Sequence, residues 1–242
     1  MPDARRHRGP DHSDRTLFSA QRAAALRSSV EDLSWLLGHG YAEPSALKIV
    51  GDRYQLRRRQ REAVRRASCS DSARASRLRR LVGIRSVTGG VVVDGFNVII
   101  TIEAALSGGV LLGCRDGCVR DVASIHGSYR QVEETRRAVE AVGVVMAGVG
   151  PVRWYLDSPV SNSGRLARLM RSIAEERGWP WEVELVKNPD REIVEHEDVV
   201  ATSDSSVLDR CGSWINLTRT VVESQVAGAW IVAFSDLFSS VV

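Results

Sequence analysis

From about residue 83 onward, short apolar runs alternate with amphipathic stretches, and this alternation constrains the fold more than any other feature. The runs are VVV at 91–93, VRWYLD at 152–157, WEVELVKN at 181–188, DVVATSD at 198–204, SWINL at 213–217 and AWIVAF at 229–234. Between them lie segments with helical spacing. Thr135 to Val145, entered through GSYRQVEE, is one. GRLARLMRSIAEERGW is another, with Leu166, Leu169, Met170 and Ile173 on one face. Strands that are apolar throughout and separated by helices predict a parallel sheet covered on both faces. The segment LSGGVLLGCRDGCVRDV departs from this rhythm and reads as an inserted β-hairpin with Gly117 at its turn and two acids, Asp116 and Asp121.

The first of these runs continues as VVVDGFNVII, which places a carboxylate inside an apolar stretch. Burying an ionised carboxylate is costly unless it is paired or binds a cation. The strand is therefore expected to end at Asp94 and turn at Gly95. Two further acids share that position: Asp157 closes VRWYLD and Asp204 closes VVATSD. The carboxyl edge of an open parallel sheet is where ligands bind. If the three strands are neighbours, the carboxylates converge and call for a divalent cation, Mg²⁺ or Mn²⁺ by the hardness of the oxygen ligands. The plain alternative is that each Asp is a turn residue or a helix cap. Asp209 follows Asp204 by five residues, and Glu134, near a helix start beside Glu133, is a further candidate acid. Asn97 is placed to bond across the site or to a phosphate. Ser161, Asn162, Ser163 and Gly164 precede a helix and offer donors to an anion, although ordinary capping explains them equally.

The front of the chain is different. Residues 1–86 hold 19 Arg and Lys against 9 Asp and Glu, and the remainder holds 14 against 21. Residues 1–14 read as a polar disordered tail, 15–86 as a helical Arg-rich region and 87–242 as the α/β domain. Ser28-x-x-Glu31 has the form of a capping box opening a helix that stops at Gly38, Pro44 suits the first turn of the next, and Gly51 is expected to interrupt it. In YQLRRRQREAVRRASCS, Leu56, Gln60, Ala63, Val64 and Ala67 line one face, while Arg57, Arg58, Arg61, Arg65 and Arg66 crowd the rest. Such a surface suits a nucleic-acid backbone, or is simply a solvated face. The cysteines at 69, 114, 118 and 211 lack zinc-site spacing and read as free thiols. No apolar h-region or membrane-length apolar run occurs, so a cytoplasmic protein with no membrane partner is expected; a homo-oligomer stays open.

VVVDGFNVI resembles the first strand of PIN-like nucleases, especially the NYN branch, whose motif is an apolar strand ending Asp-Gly-Tyr/Phe-Asn. VVATSDSSVLDRC resembles a later strand of the same superfamily, Thr-Ser-Asp before a short helix. The chain from about Tyr54 onward, including RDVASIHGSYRQVEET and LDSPVSNSGRLA, also resembles a largely archaeal prokaryotic family, domain of unknown function 434. The PIN-like resemblance covers about 91–220 and implies a Rossmann-like three-layer α/β/α domain with Mg²⁺- or Mn²⁺-dependent nuclease activity, RNA being the favoured nucleic acid over DNA. It implies Asp94 and Asp204 as matched acids and Asp209 as a following one, with Asp157 and Glu134 competing for the middle place. Asn97, Asn162 and Ser163 would then steer phosphate, and Arg57, Arg58, Arg61 and Arg65 would add backbone affinity.

Two other readings follow from the residues. A helix-turn-helix over 45–67, with Gly51 at its turn, would make the protein a non-catalytic nucleic-acid binder. A phosphotransfer or phosphohydrolase enzyme would want a second Asp two residues after Asp94, where Phe96 stands.

Overall fold

A computed structural model describes residues 8–122 and 129–238. The first seven residues of the expected tail and residues 239–242 of the expected α/β domain lie outside these. The front of the chain forms α1 (Asp14–Leu17), α2 (Ala20–Gly38), α3 (Glu43–Arg53), α4 (Arg58–Ala67) and α5 (Asp71–Arg80). Then follow β1 (Val91–Asp94), α6 (Gly95–Leu106), β2 (Leu111–Gly113), β3 (Val119–Asp121), α7 (Glu134–Val145), β4 (Val152–Asp157) and α8 (Ser163–Arg177). The chain continues as β5 (Trp181–Val186), α9 (Pro189–Glu195), β6 (Val199–Ala201), α10 (Ser205–Leu208), β7 (Trp214–Ile215), α11 (Leu217–Gln225) and β8 (Ile231–Ala233).

Five strands form one sheet in the order β5-β4-β1-β6-β7, every pairing parallel. Pleating sends Val91 and Val93 to one face, into a core with Ile99 and Ile102 of α6, Val139 and Val142 of α7, and Leu166 and Met170 of α8. Val92 points the other way, against Ile193 of α9, Val207 and Leu208 of α10, and Trp214. Cover on both faces is why the run carries no polar alternation until Asp94. The expected hairpin is β2 paired antiparallel with β3, with Gly117 at φ +85° in its turn. AWIVAF supplies β8, which joins this second sheet beside β2 rather than extending the first.

The helical front does not stand apart from the rest. Leu26, Val30, Leu33, Ala63 and Val64 share one core with Val110, Leu112 and Cys114 of the hairpin region and with Phe234. Residues 8–14 are also tied in, contrary to the expected tail. The Arg8 guanidinium bonds buried Glu103 at 2.5 Å, and fully buried Asp14 pairs with Arg59 at 2.5 Å. Two front-half expectations give way to packing. Ser28 lies inside α2, where Val30 and Leu33 are buried on a continuous apolar face, so no helix opens there. Gly51 lies inside α3; the chain breaks instead over Tyr54–Arg57, with Gln55 at φ +51°. At Gly51 a Cβ would stand only 2.2–2.7 Å from the Arg61 guanidinium, so the glycine makes room for a neighbouring helix and does not mark a turn.

Candidate functional site

In the order β5-β4-β1-β6-β7 the chain runs outward from β1 through β4 to β5, then returns to β6 on the other flank of β1. The connections diverge between β1 and β6, which is the switch point where an open parallel sheet forms a crevice. Asp94 ends β1, and Asp204 follows β6 directly through Thr202 and Ser203. The two acids are linked by one side chain. Thr202 Oγ1 donates to Asp94 Oδ2 at 2.8 Å and accepts from the Asp204 backbone N–H at 3.0 Å. Asn97, in the first turn of α6, accepts from both the backbone N–H and the hydroxyl of Ser203 at 2.8 Å. Asn97 thus bonds across the site, pinning the start of α6 to the turn that carries Asp204.

Strand β1 passes into α6 with no intervening loop, and this junction explains Gly95. A Cβ at 95 would stand 2.5 Å from Leu156 Cδ2 and 2.9 Å from the Tyr155 carbonyl oxygen. Only a residue without a side chain lets the helix start against β4 and hold Asp94 at the edge. Asp94 is buried, which raises its carboxyl; the Thr202 hydroxyl acts the other way, and Asp204 and Asp190 raise it further, to about 7.

Asp190, in the first turn of α9, is a further acid at this edge that reading the sequence missed. Burial raises its carboxyl above the ordinary range, as do Asp204 and Asp157, against the opposing charge of Arg210. Asp190 thus shares a field with Asp94, Asp204 and Asp157. It follows β5, not an acid-capped strand end, and an acid in a first helical turn reads as ordinary complement to the dipole. The signal available was its place just past the carboxyl end of WEVELV, the same edge as the other three. Asp157 ends β4 as expected; burial raises its carboxyl, and its Oδ1 is buried with no hydrogen bond.

The other candidates fall elsewhere. Asp209 follows α10 directly and is held bidentately by Arg77 at 2.7 and 2.8 Å, so an arginine already occupies it. Glu134 is buried at the first position of α7. Asn162 sits at φ +69° before α8 and donates to the Tyr129 carbonyl at 3.0 Å, while Ser163 is buried in the first turn of α8. Both shape the loop after Asp157. Asp204 does serve as a cap: its Oδ1 accepts from the Ser206 and Val207 backbone N–H groups at 2.7 and 3.2 Å. Among the described residues no hydrogen bond reaches its Oδ2, so capping leaves half of the carboxylate for another partner.

Beside this edge lies a cleft of about 400 Å³, walled by the helical front on one side and the sheet edge on the other. Arg65 and Arg66 of α4 face Asn97, Ser203 and Asp204 across it. The Arg-rich helix is largely paired within the fold. Arg61 bonds Asp52 at 2.7 Å, and Arg65 and Arg66 each bond Glu62 at 2.7 Å. Arg57 and Arg58 are exposed.

Among the described residues no three Asp, Glu, His or Cys side chains stand as a ready-made metal cage. The expected three-acid cage is therefore not preformed. A smaller donor set is compatible with Mg²⁺, which keeps several waters and is usually bound through one or two carboxylates plus substrate phosphates. Asp94 and Asp204, hinged on Thr202, are such a pair of hard oxygen donors. The four cysteines are buried free thiols, and no helix among the described residues is long and apolar enough to cross a membrane.

No solved structure matches the chain. Residues 25–80 match the family described as protein of unknown function DUF434, and residues 85–220 match the domain of unknown function DUF5616. The resemblance to the first family is thus confined to the helical front, and a second family covers the sheet and its acids. The chain is 31% identical to "Uncharacterized protein MJ0935" of Methanocaldococcus jannaschii over 186 residues, 76% of this chain and 89% of the relative. The region that carries Asp94, Asp157, Asp190 and Asp204 therefore belongs to the DUF5616 family, preceded in this chain by a DUF434 segment.

Proposed function

We propose that the protein is a Mg²⁺- or Mn²⁺-dependent nuclease acting on RNA, with a PIN-like arrangement of its acids. The observation that carries this reading is the buried carboxyl of Asp94 at the switch point, tied through Thr202 to Asp204 and pressed upward by Asp204 and Asp190. A carboxyl raised by burial and, further, by neighbouring like charges is favoured in its ionised form by a nearby cation. A bound divalent ion supplies acidified water at neutral pH and offsets charge on the phosphorus. The chain's own residues do the rest. Asp94 and Asp204 would hold the ion, and Asp157 and Asp190, at the same sheet edge, would accept hydrogen bonds from water there. Asn97 and Ser203 fix the edge, and the cleft under Arg65 and Arg66 seats the phosphate backbone.

The test is cleavage of end-labelled RNA with and without Mn²⁺. Asp94→Asn and Asp204→Asn are each expected to lower the rate by about a hundredfold or more, the scale of losing one preorganised electrostatic group. Undiminished cleavage by both variants would contradict the reading. The non-catalytic alternative loses its premise at Gly51, which is not at a turn, but α3 and α4 are joined by a short break. Salt-sensitive duplex binding mapped to 45–67, without cleavage, would favour it.

A further inference from the structure

Asp204 stands between two serines whose carbonyl oxygens are both gripped by buried arginines. Arg120, from β3 of the hairpin, donates through Nε to the Ser203 carbonyl at 2.6 Å. Arg77, from α5 of the helical front, donates through Nη2 to the Ser205 carbonyl and through Nη1 to its hydroxyl, each at 3.3 Å. One carboxylate bridges the pair. Asp116, at the hairpin turn, accepts from Arg120 Nη1 and Nη2 at 3.0 and 2.7 Å and from Arg77 Nη1 at 2.6 Å. Arg120 also donates to the Arg66 carbonyl at the end of α4, and Asp209 holds the outer edge of Arg77. The Asp116 side chain is 1% exposed and that of Arg77 3%.

Such an arrangement is a poor way to gain stability. Removing these charges from water is costly, and apolar side chains of similar volume often serve stability equally well or better. What a planar guanidinium fork provides is fixed geometry: Arg120 is locked on Asp116 and Arg77 on Asp209 and Asp116, and each so held presents one N–H to the carbonyl of a serine beside Asp204. We propose that Arg77, Asp116 and Arg120 form a yoke that positions Asp204 for its cation, so that the site is completed by the hairpin and the helical front together. The three are positioning residues: they act on the ion through the Ser203–Ser205 turn. This inference rests on the nuclease reading for the identity of the ion, but the yoke itself is read out by the turn's rigidity.

Two measurements on the full chain test it: Mn²⁺ affinity from electron paramagnetic resonance of the free ion, and hydrogen exchange at the Ser206 and Val207 amides, which donate to Asp204. Arg120→Lys keeps the charge and loses the fork. Asp209→Asn loosens Arg77 from its half-exposed side, so it keeps the test decisive if Arg120→Lys does not fold. Each is expected to bind Mn²⁺ about tenfold more weakly, the ordinary cost of losing a residue that orients a metal ligand, and to exchange both amides faster. Both effects should appear without a change in overall secondary structure. Folded variants with wild-type exchange at these amides would overturn the yoke, as would wild-type Mn²⁺ affinity in both. If the wild type binds no Mn²⁺ at all, the nuclease reading fails, and the exchange result alone decides the yoke.

Discussion

At the residue scale, two buried aspartates have opposite relations to pH. The carboxyl of Asp94 is raised to about 7, so the metal-free folded protein holds a proton that the unfolded chain releases near pH 4. Its contribution to stability is greatest below about pH 4 and is lost as pH rises through about 7, with an upper limit of about 4 kcal/mol. Asp116 is the reverse. Burial alone would raise it, but Arg120 and Arg77 outweigh burial and bring it down to about 2. Its contribution is present above about pH 4 and is lost as pH falls toward 2. In chelator, urea midpoints of the wild type should therefore fall between about pH 5 and pH 8 more steeply than those of Asp94→Asn. Parallel profiles for the two proteins would contradict the assignment. The sequence made the acid at 94 conspicuous because it interrupts an apolar run. Asp190 stayed hidden because nothing about a first-turn acid on a short helix distinguishes it from a dipole complement.

At the scale of elements, the strand-to-helix junction at 94–95 carries the most consequence. The expected strand end at Asp94 is where β1 stops, and the apolar residues after it belong to α6, which is buried from Val98 to Ala105. Gly95→Ala would push a methyl group into Leu156 and the Tyr155 carbonyl, so a loss of about 1–3 kcal/mol is expected, the range for overpacking a core. Thermal denaturation reads it directly, and a wild-type midpoint would show that the junction can shift. Apolar periodicity made the strands, the hairpin turn at Gly117 and the buried faces of α4 and α8 legible. Local signals did worse where packing decides. Ser28 and Glu31 have the spacing of a capping box, but the apolar stripe of α2 runs through them. Gly51 looks like a breaker, yet its role is to admit the Arg61 side chain.

At the scale of the whole molecule, the two family segments share a core and together wall the cleft. The 25–80 segment contributes Arg77 and one wall of the cleft; the 85–220 segment contributes the sheet edge, the hairpin and the acids. The charge asymmetry of the sequence pointed to a division of labour between halves. It did not show that most of the arginines on α4 pair with carboxylates inside the fold. Nor could it show the order β5-β4-β1-β6-β7, which makes Asp94 and Asp204 neighbours and follows from long-range pairing. In the proposed site these two acids would hold one divalent ion. The most direct measurement is a titration of Mn²⁺ into the full chain, following the free ion by electron paramagnetic resonance. One site is predicted in the wild type and in Glu175→Gln, an exposed acid on α8, and none in Asp94→Asn or Asp204→Asn. Equal Mn²⁺ binding by all four proteins would contradict it.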